Sequence, residues 1–154
     1  MKTLTTTLGI ISKDGKVLLG MKKRGFGAGK WNGFGGKVEI ETIEENMKRE
    51  MKEECGLDII NMKKVGMNFF EFEGNPEVVE VHIFKIEEFS GTPEESEEMS
   101  PRWFNLNEIP FNEMWADDKH WLHLFFENKK FKGEYLFNNS NQILRKKIVE
   151  VDII

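Results

Sequence analysis

Three glutamates are the residues of this chain best spaced to do chemistry together. Glu50, Glu53 and Glu54 stand at i, i+3 and i+4 within Arg49-Glu50-Met51-Lys52-Glu53-Glu54. At about 3.6 residues per helical turn, that spacing puts three carboxylates on one helical face. A bare face of this kind is electrostatically unfavourable. Hard divalent cations such as Mg2+ take oxygen ligands and work with a few carboxylates plus substrate phosphates, so a metal would convert the repulsion into binding. The competing reading of an isolated acidic run is a solvated helix face, here with Lys48, Arg49 and Lys52 as internal partners.

The flanking residues favour the site. Thr42-Ile43-Glu44-Glu45 fits a capping box and Gly56 a left-handed stop, which predicts a helix between them. Ile43, Met47, Met51 and Cys55 keep the helical period and give a buried side, with the carboxylates opposite or flanking it. Just ahead, Asn32-Gly33-Phe34-Gly35-Gly36 is dense enough in glycine for backbone to approach a ligand closely. Before that, Met21 to Lys30 sets two groups of cations around small residues, a surface suited to phosphate or base contact.

The elements that must position these groups can be read in order. Thr3 to Ser12 and Val17 to Gly20 form a predicted hairpin around Lys13-Asp14-Gly15-Lys16. Met62 to Glu73 and Val78 to Ile86 read as strands joined around Gly74-Asn75-Pro76, with Phe70 and Phe72 on one face. Glu94 to Glu98 is an acidic loop with one carboxylate free to reach the metal site, and Arg102 to Phe104 a short strand. Lys119 to Asn128 is a predicted amphipathic helix with Trp121, Leu122, Leu124 and Phe125 apolar. An aspartate at a helix start is ordinarily a cap, which explains one of Asp117 and Asp118 but not both after Trp115. Two more strands, Phe131 to Phe137 and Ile143 to Val151, flank Asn138-Asn139-Ser140-Asn141. Without repeat, low-complexity tract or linker, the expectation is a single domain over residues 1–154 with a mixed sheet and two main helices.

Composition narrows the partners. A net charge of −5 lacks the basic face that nucleic-acid polymers require, so an anionic small molecule must be held by local cations and metal. The single Cys55 forbids an internal disulfide and suits a reducing compartment. No apolar run has the length of a membrane span and the N-terminus lacks a signal-peptide h-region, so the expected setting is cytoplasmic, compatible with a mitochondrial or nuclear fraction.

The stretch from Gly36 to Leu57 resembles the Nudix box, the signature of hydrolases that cleave nucleoside diphosphates linked to another group. That pattern is Gly, five residues, Glu, seven residues, then Arg-Glu-apolar-x-Glu-Glu-x-Gly-apolar. From Glu41 onward the match is complete, ending Arg49, Glu50, Met51, Lys52, Glu53, Glu54, Cys55, Gly56, Leu57. One departure is that only Lys37 to Ile40 separate Gly36 from Glu41, one residue fewer than the pattern has. The likeness extends over nearly the whole chain. Val17 to Val38, Phe70-Glu71-Phe72, Glu80-Val81-His82, Gly91-Thr92-Pro93, Glu98-Met99, Trp103-Phe104, Ile109-Pro110-Phe111 and Met114 to Asp118 look like blocks of the animal MutT-homologue 8-oxo-dGTP diphosphatases.

This resemblance implies a Nudix-type α/β/α sandwich and a monomeric enzyme using Mg2+, with Mn2+ as a substitute. The implied substrates are small-molecule oxidised purine nucleotides, 8-oxo-dGTP and 2-oxo-dATP, cleaved at the β-phosphorus to monophosphate and pyrophosphate. It assigns metal binding and catalysis to Glu50, Glu53, Glu54 and Glu98, with the Gly35 carbonyl as a further ligand and Glu54 or Glu98 orienting the water. It assigns nucleotide contacts to Thr7, Lys22, Phe26, Asn32, Phe34, Gly35, Gly36, Lys37, Phe70, Phe72, Trp115, Ala116, Asp117 and Asp118. Val79 stands where the group often has Met, and Ser100 replaces an Arg. Arg49 is expected to hold the helix carboxylates in place. Asp117 and Asp118, two adjacent carboxyls in a desolvated pocket, are expected to share a proton. Two alternatives remain open: a Nudix hydrolase of another nucleotide, such as a dinucleoside polyphosphate or other modified purine nucleotide, and a Nudix binding module with weakened catalysis.

Overall fold

Strands that are apolar on both faces organise the molecule, because each face must find a cover. A computed structural model describes residues 2–154. In β1 (Lys2–Lys13) Ile10 faces one way and Ile11 the other; in β2 (Lys16–Lys22) Val17 and Leu19 oppose Leu18. The chain continues through β3 (Trp31–Asn32), α1 (Ile43–Cys55), β4 (Asp58–Phe72), β5 (Glu77–Ser90) and β6 (Met99–Asn105). A 3-10 turn (Phe111–Glu113), α2 (Asp118–Phe126), β7 (Lys130–Phe137) and β8 (Ile143–Val151) complete it. Of these, β3 and the 3-10 turn are too short to leave a sequence period, and neither was expected.

One eight-stranded mixed sheet runs β3-β2-β1-β5-β4-β7-β8, with β6 paired to β2. The β1–β5 and β4–β7 pairs are parallel and the remainder antiparallel. Ile11, Leu18 and Phe84 pack under α1 against Met47, Met51 and Cys55. Ile10, Val17, Leu19 and Ile83 pack on the other face with Trp121, Leu122 and Phe125 of α2. The result is the expected α/β/α sandwich. Both long strands overrun their expected ends, since β4 begins at Asp58 and β5 runs to Ser90; pairing of Asp58 with Ser90 extends the ladder past the apolar stretch.

The ends of α1 behave as their residues dictate. Glu45 N donates to the Thr42 hydroxyl and Thr42 N to the Glu45 carboxylate, both at 3.1 Å, while Gly56 adopts φ 78° and donates to the Lys52 carbonyl. The glycine-rich loop is then laid along the free edge of the N-terminal half of β1. Gly9 and Phe34 exchange hydrogen bonds, Thr7 N donates to Gly36 O at 3.0 Å, and Val38 N donates to Thr5 O at 2.9 Å.

Two substitutions rank these contributions. Met51→Ala, at a fully buried position, should lower unfolding free energy by about 2–5 kcal/mol, whereas Thr42→Ala should cost about 1 kcal/mol. Urea denaturation of both variants checks the order.

Candidate active site

The loop lies so close to β1 that only glycine fits at position 35. A Cβ there would sit 1.9 Å from the Thr7 carbonyl oxygen. This approach leaves the Gly35 N–H turned toward α1, where it donates to Glu54 Oε1 at 2.8 Å. Glu54 is thereby buried, unlike the other glutamates of the same helix. Burial pushes its carboxyl up to about 8; the Gly35 bond and the Lys22 charge oppose the rise, and the Glu50 and Glu98 carboxylates add to it. Glu50 is also raised, chiefly by burial, against the pull of Arg49.

The other acidic candidates are held apart by arginines. Arg49 pairs with Glu53 at 2.9 Å, with Glu41 at 2.8 Å and with Glu50 at 3.2 Å. Arg24 pairs with Glu98 at 2.7 Å, and that guanidinium holds the Glu98 carboxyl below its ordinary value. Among the described residues no three acidic, histidine or cysteine side chains converge on one point. The donor set nevertheless suits a hard divalent cation. It is all oxygen, and the Glu50 charge helps to raise the Glu54 carboxyl, a repulsion that a nearby cation would offset.

Beside Glu54 opens a cleft of about 240 Å³. Thr7, Lys22, Phe26, Asn32, Gly35, Gly36, Phe70, Phe72, Trp115, Asp117 and Asp118, all expected from the sequence, line it. The wall is aromatic: Phe72 stacks on Phe137 at 5.4 Å, Phe70 on Tyr135 at 5.1 Å, and Phe26 leans on Trp115 at 5.0 Å. Lys30 stands over the Trp115 ring at 5.3 Å. Although Thr7 contributes to the wall, its hydroxyl turns away and donates to Asn46 Oδ1 at 2.6 Å.

At the closed end both aspartates are buried, and neither acts as a simple helix cap. Asp117 precedes α2 without a capping bond and instead accepts from Trp121 Nε1 at 2.7 Å. Burial raises its carboxyl to about 6. Burial and the adjacent Asp117 charge raise Asp118 well above the usual carboxylate range, and Asp118 Oδ2 has no partner among the described residues. Burial and mutual repulsion thus both work against ionising the two carboxyls together.

Three expected contacts fall outside this cleft lining. The Phe34 ring lies in the core beneath α1, because pairing of its backbone with Gly9 turns the side chain inward. The Lys37 side chain is exposed, and its carbonyl serves Asn46 instead. Ala116 packs against the α2-side core. Glu50, Glu53 and Glu98 likewise stand outside the lining, and Ser100 faces Met21 in the β2–β6 ladder. Sequence reading missed Asn68, Val81, Met99, Trp121 and Phe137 as lining residues. Strand alternation with Phe70 and Phe72 was the available signal for Asn68; the others come from elements whose pairing is not local.

A NUDIX domain model matches residues 2–134, and the chain belongs to that family. It is 53% identical over 147 residues to the oxidized purine nucleoside triphosphate hydrolase of Mus musculus, a match covering 95% of this chain and 94% of that protein. The protein of the same name from Danio rerio is 50% identical over 147 residues, with the same coverage. Among solved structures, the MutT protein of Bacillus halodurans superposes with a TM-score of 0.83 at 27% identity, covering 94% of this chain and 97% of that one.

The raised carboxyls have a measurable consequence. A folded-state value of about 8 for Glu54 against 4.5 in the unfolded chain means that the native protein holds a proton the unfolded one releases. The stability this gives is complete below 4.5 and disappears as pH climbs through about 8. Thermal melts in chelator should therefore fall between those limits, and Glu54→Gln should flatten the fall. An unchanged slope in that variant would contradict the assigned environment.

Proposed function

We propose that this protein is a Mg2+-dependent hydrolase of oxidised purine nucleoside triphosphates, releasing monophosphate and pyrophosphate and thereby clearing oxidised nucleotides from the pool. The observation that carries this reading is a single cleft with a buried carboxylate beside the glycine loop at one end and a buried aspartate pair at the other. The names of the mouse and zebrafish relatives, aligned over 95% of the chain, support the substrate class.

Family hydrolases work with divalent cations, and here Glu50, Glu53, Glu54, Glu98 and the Gly35 carbonyl are the groups proposed to hold Mg2+. When bound, the metal neutralises phosphate charge and lowers the cost of forming a hydroxide nucleophile. Glu53 and Glu98, paired with Arg49 and Arg24 in the structure, would have to release those guanidinium groups to hold the metal. Arg49, still bonded to Glu41, keeps the helix face in register. Glu54, once a bound cation favours its ionised form, or Glu98, would orient or deprotonate the water attacking the β-phosphorus. Lys22, on the cleft wall, supplies a cation for the sugar or phosphates.

The base end follows from hydrogen-bond capacity. Trp115 and Phe26 offer faces for a purine, and Asn32 presents both a donor and an acceptor. An aspartate pair sharing one proton presents donor and acceptor together. Moving that proton lets one site read both 8-oxo-guanine and 2-oxo-adenine. Phe70 and Phe72 exclude water behind the base. We assign the protein to the cytoplasm, as a monomer; among the described residues no helix is long and apolar enough to cross a membrane.

Pyrophosphate release from 8-oxo-dGTP, 2-oxo-dATP, dGTP and dinucleoside polyphosphates, with and without Mg2+, tests the reading. Glu54→Gln and Glu50→Gln should each lower kcat about a hundredfold or more while circular dichroism stays native; near-normal turnover in both would remove the ligand assignment. Asp117→Asn and Asp118→Asn should shift the ratio of kcat/KM between the two oxidised substrates. Equal losses on both would dispose of proton sharing.

A further inference from the structure

Two polar side chains of α1 apart from the half-buried Glu50 are enclosed: Glu54 and Asn46. Asparagine is a poor helix former, and a fully enclosed amide is unfavourable unless its groups are bonded. Here they are. Asn46 Nδ2 donates to the Lys37 carbonyl and to Glu41 Oε1, each at 2.8 Å, while Oδ1 accepts from the Thr7 hydroxyl at 2.6 Å. Those partners come from three separate segments: the exit of the glycine loop, the residue leading into α1, and β1.

The placement on the helix explains the reach. Asn46, Glu50 and Glu54 stand at i, i+4 and i+8, a row beside the core stripe of Met47, Met51 and Cys55. The glycine loop runs antiparallel to this row: Glu54 holds Gly35 N, Glu50 lies against Gly36, and Asn46 holds the Lys37 carbonyl. Beyond that point Lys37, Glu39 and Ile40 are exposed, so packing does little to fix the connection to Glu41. Glu41 in turn accepts from Arg49, which grips Glu53 and touches Glu50.

We propose that Asn46 is a positioning residue for the hydrolysis, a buried amide clamp that sets both the glycine loop and, through Glu41 and Arg49, the orientation of Glu50 and Glu53. The role rests on the hydrolase reading above. It touches no substrate, and its effect should appear in turnover and metal response rather than in nucleotide affinity.

Asn46→Ala and the near-isosteric Asn46→Asp, made in the full chain, separate this from a packing role. In Asn46→Ala kcat for 8-oxo-dGTP should fall about tenfold or more, with KM changed less than about threefold and half-saturating Mg2+ raised. Amide exchange over residues 36–41 should accelerate, Val38 included, whose N–H is bonded to Thr5 O. Asn46→Asp keeps the volume and the acceptor but cannot donate to Lys37 O or Glu41, so it should not rescue turnover; it also supplies the measurement should the alanine variant fail to fold. Wild-type kcat and Mg2+ response in either folded variant would overturn the clamp. A parent inactive on every nucleotide would instead overturn the hydrolase reading, and the exchange measurement would still decide whether Asn46 fixes the loop.

Discussion

The close approach of the Gly35 backbone to β1 is the constraint from which the site follows. A side chain at Gly35 would collide with the Thr7 carbonyl, so the loop can lie flat on the strand edge only as glycine. Lying flat, it presents its N–H to α1 and receives the Glu54 carboxylate. The acid is thus taken out of water, and that burial raises its carboxyl even though the Gly35 bond itself opposes the rise. It also ties together the strand, the loop and the helix.

Charge is distributed unevenly around that contact. Glu54 and Glu50 are raised by burial, while Glu53 and Glu98 are held by exposed arginines. Exposed ion pairs of this sort are weakly stabilising and readily exchanged. The helix face therefore combines a fixed, desolvated half with a half that can change partners. That division suits a site which must assemble around a cation and a polyphosphate and then release products.

Burial shapes the far end of the cleft in the same way. Asp117 and Asp118 are enclosed under an aromatic wall, and two carboxyls so close cannot both ionise in a poorly solvated space. Trp121 fixes Asp117 from within α2, holding that carboxylate in place beside Asp118. The two ends stand on different helices, Glu54 on α1 and the aspartates at the start of α2, so either can be altered without moving the other.

By itself the sequence determined a mixed sheet covered by two helices, and its resemblance to the family pointed to much of the cleft lining. Alternation at Ile10 and Ile11, and at Val17, Leu18 and Leu19, required cover on both faces of a sheet, and Thr42 and Gly56 bounded α1 because capping is a local hydrogen-bonding matter. The spacing of Glu50, Glu53 and Glu54 put them on one side of a helix. Tertiary structure alone decided which of them would be buried, since Glu53 and Glu54 differ by about 100° around the axis and only Glu54 meets the glycine loop. It also turned the Phe34 ring into the core, left Lys37 outside the cleft lining, and engaged Asn46 with three distant segments. Those outcomes depend on where a loop is laid along β1, a long-range pairing that no local period records.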